Sequence, residues 1–132
     1  MTRIGAFVNL GFGDPAGKSS IIVGRMHQGG DEVELVIVTM TFDAADPEPL
    51  LATLAKYVVL SRGHAGCRNI DLAASATTPG RFVVVEKWES SEAQRSHFDS
   101  PDMVEMAEAC RGLLSRPPSI DLLEPITAHD LT

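Results

Sequence analysis

Glu86 is the first residue in this chain that asks for an explanation. It stands in Val83-Val84-Val85-Glu86-Lys87-Trp88, whose alternation puts it on the same side of a strand as Val84 and Trp88. A carboxylate on an apolar face needs a partner or a role. It is either a salt bridge near the strand end or the polar wall of a ligand pocket. Trp88 divides the same way, into plain core or the aromatic floor of a pocket. His97 lies on the predicted helix after this strand, near the same end of the sheet. It is the best general-base candidate by type, against the alternative of a surface or internally satisfied histidine. His64-x-x-Cys67 has a spacing a metal could use, but only Cys110 and distant histidines could add ligands. Zinc sites usually need three or four ligands, so a loop histidine and a buried thiol are the better reading. No metal site is expected, and Cys67 has no support as a nucleophile beyond His64. Gly11–Ser19 (GFGDPAGKS) superficially resembles a phosphate-binding loop, yet Phe12 occupies a required glycine position. Ile21-Ile22-Val23 also reads as strand where that motif needs a helix, so the stretch is a hairpin connection.

These residues must be positioned by local elements that the sequence marks. Val33–Phe42 is dense in β-branched and apolar residues and predicts a strand. Asp46-Pro47 offers an N-cap and a proline at the first helical position, with Leu50, Leu54 and Tyr57/Val58 following at helical spacing to about Arg62. Cys67–Ala76 predicts a second strand, Thr77–Gly80 a turn, and Arg81–Trp88 a third strand. Ser90 caps a short helix to about Phe98. Ser100-Pro101 starts another, its apolar face running through Leu114 and its stop set by Pro117-Pro118. Ser119–Glu124 remains as a fourth strand. The order is β-α-β-β-α-β, a ferredoxin-like α+β plan with a four-stranded antiparallel sheet and helices on one face. Both faces of the first and third strands carry apolar residues, so the uncovered face predicts a homodimer with sheets packed together. Residues 1–32 read as a hairpin-like extension, 33–126 as the domain and 127–132 as a polar tail.

The bulk composition removes several function classes. The chain has 132 residues, 44% of them hydrophobic, and a net charge of -7, which suits one globular domain. An acidic chain is a poor partner for nucleic acid or an anionic membrane surface. No apolar run reaches the roughly 20 residues of a membrane helix. Met1–Leu10 lacks the basic start and apolar stretch of a signal peptide, and two cysteines suggest reduced thiols, so the expected location is cytoplasmic.

Three segments carry a family resemblance. Ser61-Arg62-Gly63-His64-Ala65-Gly66-Cys67, then Glu86-Lys87-Trp88-Glu89-Ser90, then Ala93 through His97 to Ser100-Pro101 resemble the antibiotic biosynthesis monooxygenase domain in order and spacing. The resemblance covers about Val33–Glu124 and implies a dimeric α+β barrel. It also implies oxygenation without metal, flavin or other cofactor, in which a deprotonated phenol or quinol donates electrons directly to molecular oxygen. Under it, Trp88 and apolar neighbours would form the pocket, His97 or His64 would handle protons, and Glu86 would orient one of them. The chain departs from the family pattern in several places. His64-Ala65 replaces a usual Glu-Pro, Ile70 replaces an aromatic residue, and Val84 and Gln94 replace the Asn and Tyr of polyketide-oxidising relatives. Thr39, His97 and Ala107 align with the Asn, Trp and ligand His of the haem-degrading branch, so haem degradation is not expected. The expectation is a cofactor-independent monooxygenase of a small quinol-like or phenolic compound. A proton-shuttling isomerase and a non-catalytic ligand-binding dimer are the alternatives.

Overall fold

A computed structural model describes residues 35–128. The expected extension over residues 1–32, the Gly11–Ser19 connection and most of the polar tail lie outside the described residues. Seven elements follow in chain order: β1 (Val36–Asp43), α1 (Pro47–Ser61), β2 (Cys67–Ala74), β3 (Arg81–Trp88), α2 (Ser91–Phe98), α3 (Pro101–Ala109) and β4 (Ser119–Leu123). The strands form one antiparallel sheet in the order β2-β3-β1-β4. This is the expected ferredoxin-like α+β arrangement.

Alternation in β1 decides which side is core. Val36, Val38, Met40 and Phe42 are buried, while Ile37, Thr39, Thr41 and Asp43 are half-buried on the opposite side. The register places Val38 across from Glu86 and Met40 across from Val84. On the other flank of β3, Ile70 pairs with Glu86 and Leu72 with Val84. Glu86 is therefore held in a row with Val38 and Ile70. Leu50, Leu54, Tyr57 and Val58 of α1, with Met103, Met106 and Ala107 of α3, are buried in the same core.

The helix starts follow their local signals, with one exception. Ser90 accepts a hydrogen bond from the Ala93 amide at 3.1 Å, and Ser100 from the Met103 amide at 3.3 Å. Asp46 is extended at the N-cap of α1, but its side chain makes no capping hydrogen bond. That start rests on Pro47 and the acidic first turn at Glu48. The C-terminal end of α3 also differs from the expected continuation to Leu114. The helix stops at Ala109 because Gly112 turns the chain at φ 81°, and Leu114 then bridges Ala44.

A register shift between Cys67 and Asn69 has consequences for the site. Cys67 pairs with Trp88 while Ile70 pairs with Glu86, so three steps on β2 match two on β3. An extra residue of this kind lets Cys67 and Ile70 face the same side despite their odd separation.

Candidate active site

The candidate residues converge under the helices. Glu86 is fully buried, and its two oxygens have different partners. The Trp88 indole N–H donates to Oε1 at 2.8 Å, and the Tyr57 hydroxyl lies 2.6 Å from Oε2. The same hydroxyl is 2.7 Å from His97 Nε2. His97 Nδ1 is 2.8 Å from His64 Nδ1, and His64 Nε2 is 2.8 Å from an Asp102 carboxylate oxygen. The result is one hydrogen-bonded array: Trp88, Glu86, Tyr57, His97, His64, Asp102. The Trp88 and His97 rings stack with centroids 4.4 Å apart.

Each member is placed by a local cause. The Ser90 cap starts α2 so that His97 falls two turns along its buried side. The Ser100 cap and Pro101 put Asp102 in the first turn of α3. His64 sits in the connection after α1, which closes tightly on α2. The Glu89 amide donates to the Gly66 carbonyl at 2.8 Å, and a Cβ at Gly66 would lie 2.4 Å from that of Ala93. Gly66 also has φ 82°, so both backbone shape and close approach call for glycine there.

Burial sets the charge state of the interior. Desolvation pushes the Glu86 carboxyl up to about 7, against the opposing hydrogen bonds from Tyr57 and Trp88. His97 is held down to about 3, first by burial and then by the neighbouring His64 charge. Burial and the Glu86 charge raise the Tyr57 hydroxyl well above its usual value. His97 Nε2 and Glu86 Oε1 are 3.8 Å apart, and the Tyr57 hydroxyl stands between them in hydrogen-bond contact with both groups.

When Glu86 is protonated, hydrogen-bond valence fixes one arrangement of the protons. If Asp102 accepts from His64 Nε2–H, the neutral His64 must accept at Nδ1 from His97 Nδ1–H. His97 Nε2 then accepts from Tyr57, whose oxygen accepts in turn from a protonated Glu86. Every donor meets an acceptor in this arrangement. Gln94, fully buried one turn before His97, has neither amide atom hydrogen-bonded among the described residues.

The array reaches the surface beside a groove of about 290 Å³ between α1 and α3. Tyr57 and Asp102 both line it, with Leu60 and Met106 as apolar wall. Lys56 spans the same groove to pair with Glu105. Among the expected site residues, His97, His64 and Glu86 are brought together in one array with Trp88. Val84 and Ile70 are buried on the same sheet face beside Glu86. Thr39 points to the opposite face, level with Val85 and Asp121. His64 turns its ring to His97 and Asp102. Among the described residues no cluster of three or more His, Cys, Asp or Glu could hold a metal ion.

Tyr57 and Asp102 are absent from the expected site. Tyr57 is the chain's one tyrosine and lies in the buried stripe of α1, where its hydroxyl requires a polar partner. That requirement is the signal that could have paired it with Glu86. Asp102 reads locally as a favourable charge in a first helical turn.

Residues 35–109 match the family model for antibiotic biosynthesis monooxygenase. The chain belongs to the antibiotic biosynthesis monooxygenase family. Among solved structures, Rv0793 from Mycobacterium tuberculosis is 30% identical with a TM-score of 0.65, the match covering 71% of this chain and 97% of that one. PA3566 from Pseudomonas aeruginosa is 24% identical with a TM-score of 0.65, over 70% and 95% of the two chains. SnoaB from Streptomyces nogalater, described as a cofactor-independent oxygenase, shares the fold at 17% identity and a TM-score of 0.64, over 71% and 95%. No curated protein matches this chain. Among the described residues no helix is long and apolar enough to cross a membrane.

Proposed function

We propose that this family member is a cofactor-independent monooxygenase acting on a small quinol-like or phenolic compound bound in the groove between α1 and α3. The observation that carries the reading is the hydrogen-bonded acid–base array, one end of which lines that groove. Direct reaction of triplet oxygen with a closed-shell phenol is spin-forbidden, whereas a phenolate can donate one electron at a time. The chain therefore has to remove a proton and hold the phenolate. In such a reaction a phenol and O₂ give a quinone and water, with all electrons drawn from the substrate. His64, partnered by Asp102, takes the proton, and the Lys56 ammonium supplies positive charge beside the phenolate. A groove of about 290 Å³ suits a compound of one or two rings. Trp88, Val84 and Ile70 support the array from beneath, and Thr39, on the far face, takes no part.

Oxygen uptake with a panel of hydroquinones and phenols tests this. At least one should support turnover, and His64→Ala should lower it by roughly 10²–10⁴-fold while changing binding less. Proton exchange or isomerisation without oxygen uptake would point to an isomerase, and binding without any turnover to a ligand-binding protein.

The reading includes a homodimer. Val85 and Leu123 are 37% and 39% exposed on the sheet face away from the helices, beside half-buried Ile37 and Val83. Face-to-face packing of two sheets would cover them. Light scattering at micromolar concentration should report about twice 14.1 kDa; a stable monomer would refute this part.

A further inference from the structure

The array has a property that neither an oxygenase nor an isomerase needs to be assumed to explain. Its internal hydrogen bonds, between Glu86 and His64, can run in two opposite directions. With Glu86 protonated, every donor from Glu86 outward points toward Asp102. With Glu86 ionised, Tyr57 donates to it, His97 donates through Nε2 to Tyr57, and His64 donates through Nδ1 to His97. His64 Nε2 is then bare beside Asp102.

We propose that His64, His97 and Tyr57 form a proton wire that carries a proton from the groove to Glu86, which serves as a buried proton store. A proton arriving at His64 Nε2 releases the one on Nδ1 to His97 Nδ1. His97 gives up its Nε2 proton to the Tyr57 oxygen, and Tyr57 passes its own to Glu86 Oε2. Three O–H or N–H bonds break and three form inside the wire, in addition to the proton received. No electron changes hands, and each relay residue ends neutral with its polarity reversed. The donor–acceptor distances of 2.8, 2.7 and 2.6 Å are short enough for each transfer.

The surroundings favour this path over competitors. The titratable groups facing Glu86 are Tyr57 from α1, His97 from α2 and Cys67 from β2, whose thiol is itself raised by burial and by the Glu86 charge. The cross-strand neighbours Val38 and Ile70 are apolar, and α3 contributes Met103 and Met106 to this core. At the outer end stand His64, Asp102 and, across the groove, Lys56, which feels Asp102 as well as its partner Glu105. A proton leaving Glu86 has Tyr57 as its short hydrogen-bonded exit.

The test uses the intact protein without substrate: nitrogen-15 spectra of the histidine rings and carbon-13 spectra of the glutamate carboxyls across pH. As Glu86 ionises, His97 should switch from the Nδ1–H to the Nε2–H tautomer at the same midpoint, and the His64 ring nitrogens should respond with it. In Tyr57→Phe the His97 tautomer should no longer follow Glu86. A wild-type His97 that keeps one tautomer while Glu86 titrates would overturn the wire. So would a Tyr57→Phe protein in which the two still move together. The wild-type titration decides the matter even if the variant does not fold. Oxygen uptake enters neither measurement, so the wire and the oxygenase reading fail separately.

Discussion

Replacing Trp88 with alanine should destabilise the domain by about 3–5 kcal/mol, the usual cost of truncating a buried aromatic ring. That is a large share of a stability that is typically about 5–15 kcal/mol. Trp88 is wholly buried, pairs with Val36 and Cys67 across the sheet, and stacks on His97. Its loss therefore opens a cavity and also removes the indole donor from Glu86 Oε1. Trp88→Phe separates the two effects. Phenylalanine keeps most of the apolar body but leaves a buried oxygen without its donor, at a cost of about 1–3 kcal/mol. Because the indole hydrogen bond lowers the Glu86 pKa, Trp88→Phe should also move the Glu86 titration upward. Urea midpoints measure the first effect, and carboxyl spectra the second. An alanine variant within about 0.5 kcal/mol of wild type, the range of inconsequential surface changes, would show that the ring is not core.

Stability should be nearly insensitive to the Glu86–His97 pair between pH 4.5 and 6.5, because the two groups oppose each other there. Glu86 is raised from 4.5 to about 7 in the folded state, so folding takes up a proton in that window. Its contribution is full below pH 4.5 and is lost as pH rises toward 7. His97 is lowered from 6.5 to about 3, so folding releases a proton. Its contribution is full above pH 6.5 and is lost as pH falls toward 3. Each slope is about 1.4 kcal/mol per pH unit, with opposite sign. Relative to wild type, Glu86→Gln should therefore gain stability with rising pH across the window. His97→Gln should lose it. Denaturation series at several pH values read both slopes directly. Parallel profiles for all three proteins would mean that these groups titrate alike folded and unfolded.

The two slopes belong to residues that are strangers in the sequence. Tyr57 reaches Glu86 across 29 positions and His97 across 40, while His64 meets His97 across 33 and Asp102 across 38. What the sequence determined by itself acts within a turn or a strand. Ser90 and Ser100-Pro101 start their helices, the alternation in Arg81–Trp88 sets Glu86 and Trp88 on one face, and Leu50, Leu54, Tyr57 and Val58 mark the buried stripe of α1. Those signals are legible because a cap, a proline or a side-chain alternation acts on backbone only a few residues away. They were enough to order the elements as β-α-β-β-α-β and to single out Glu86, His64 and His97. Tertiary structure alone decided that Tyr57 stands between Glu86 and His97, and that Asp102 closes the outer end. It also decided the bulge at Cys67/Asn69 and the end of α3 at Ala109, before the turn at Gly112. Tyr57 looked like another residue of an apolar stripe because its ring satisfies helical spacing as well as a leucine would. Its hydroxyl acquires meaning only when the sheet brings a buried carboxyl beneath it, since a buried polar atom is judged by what packs against it.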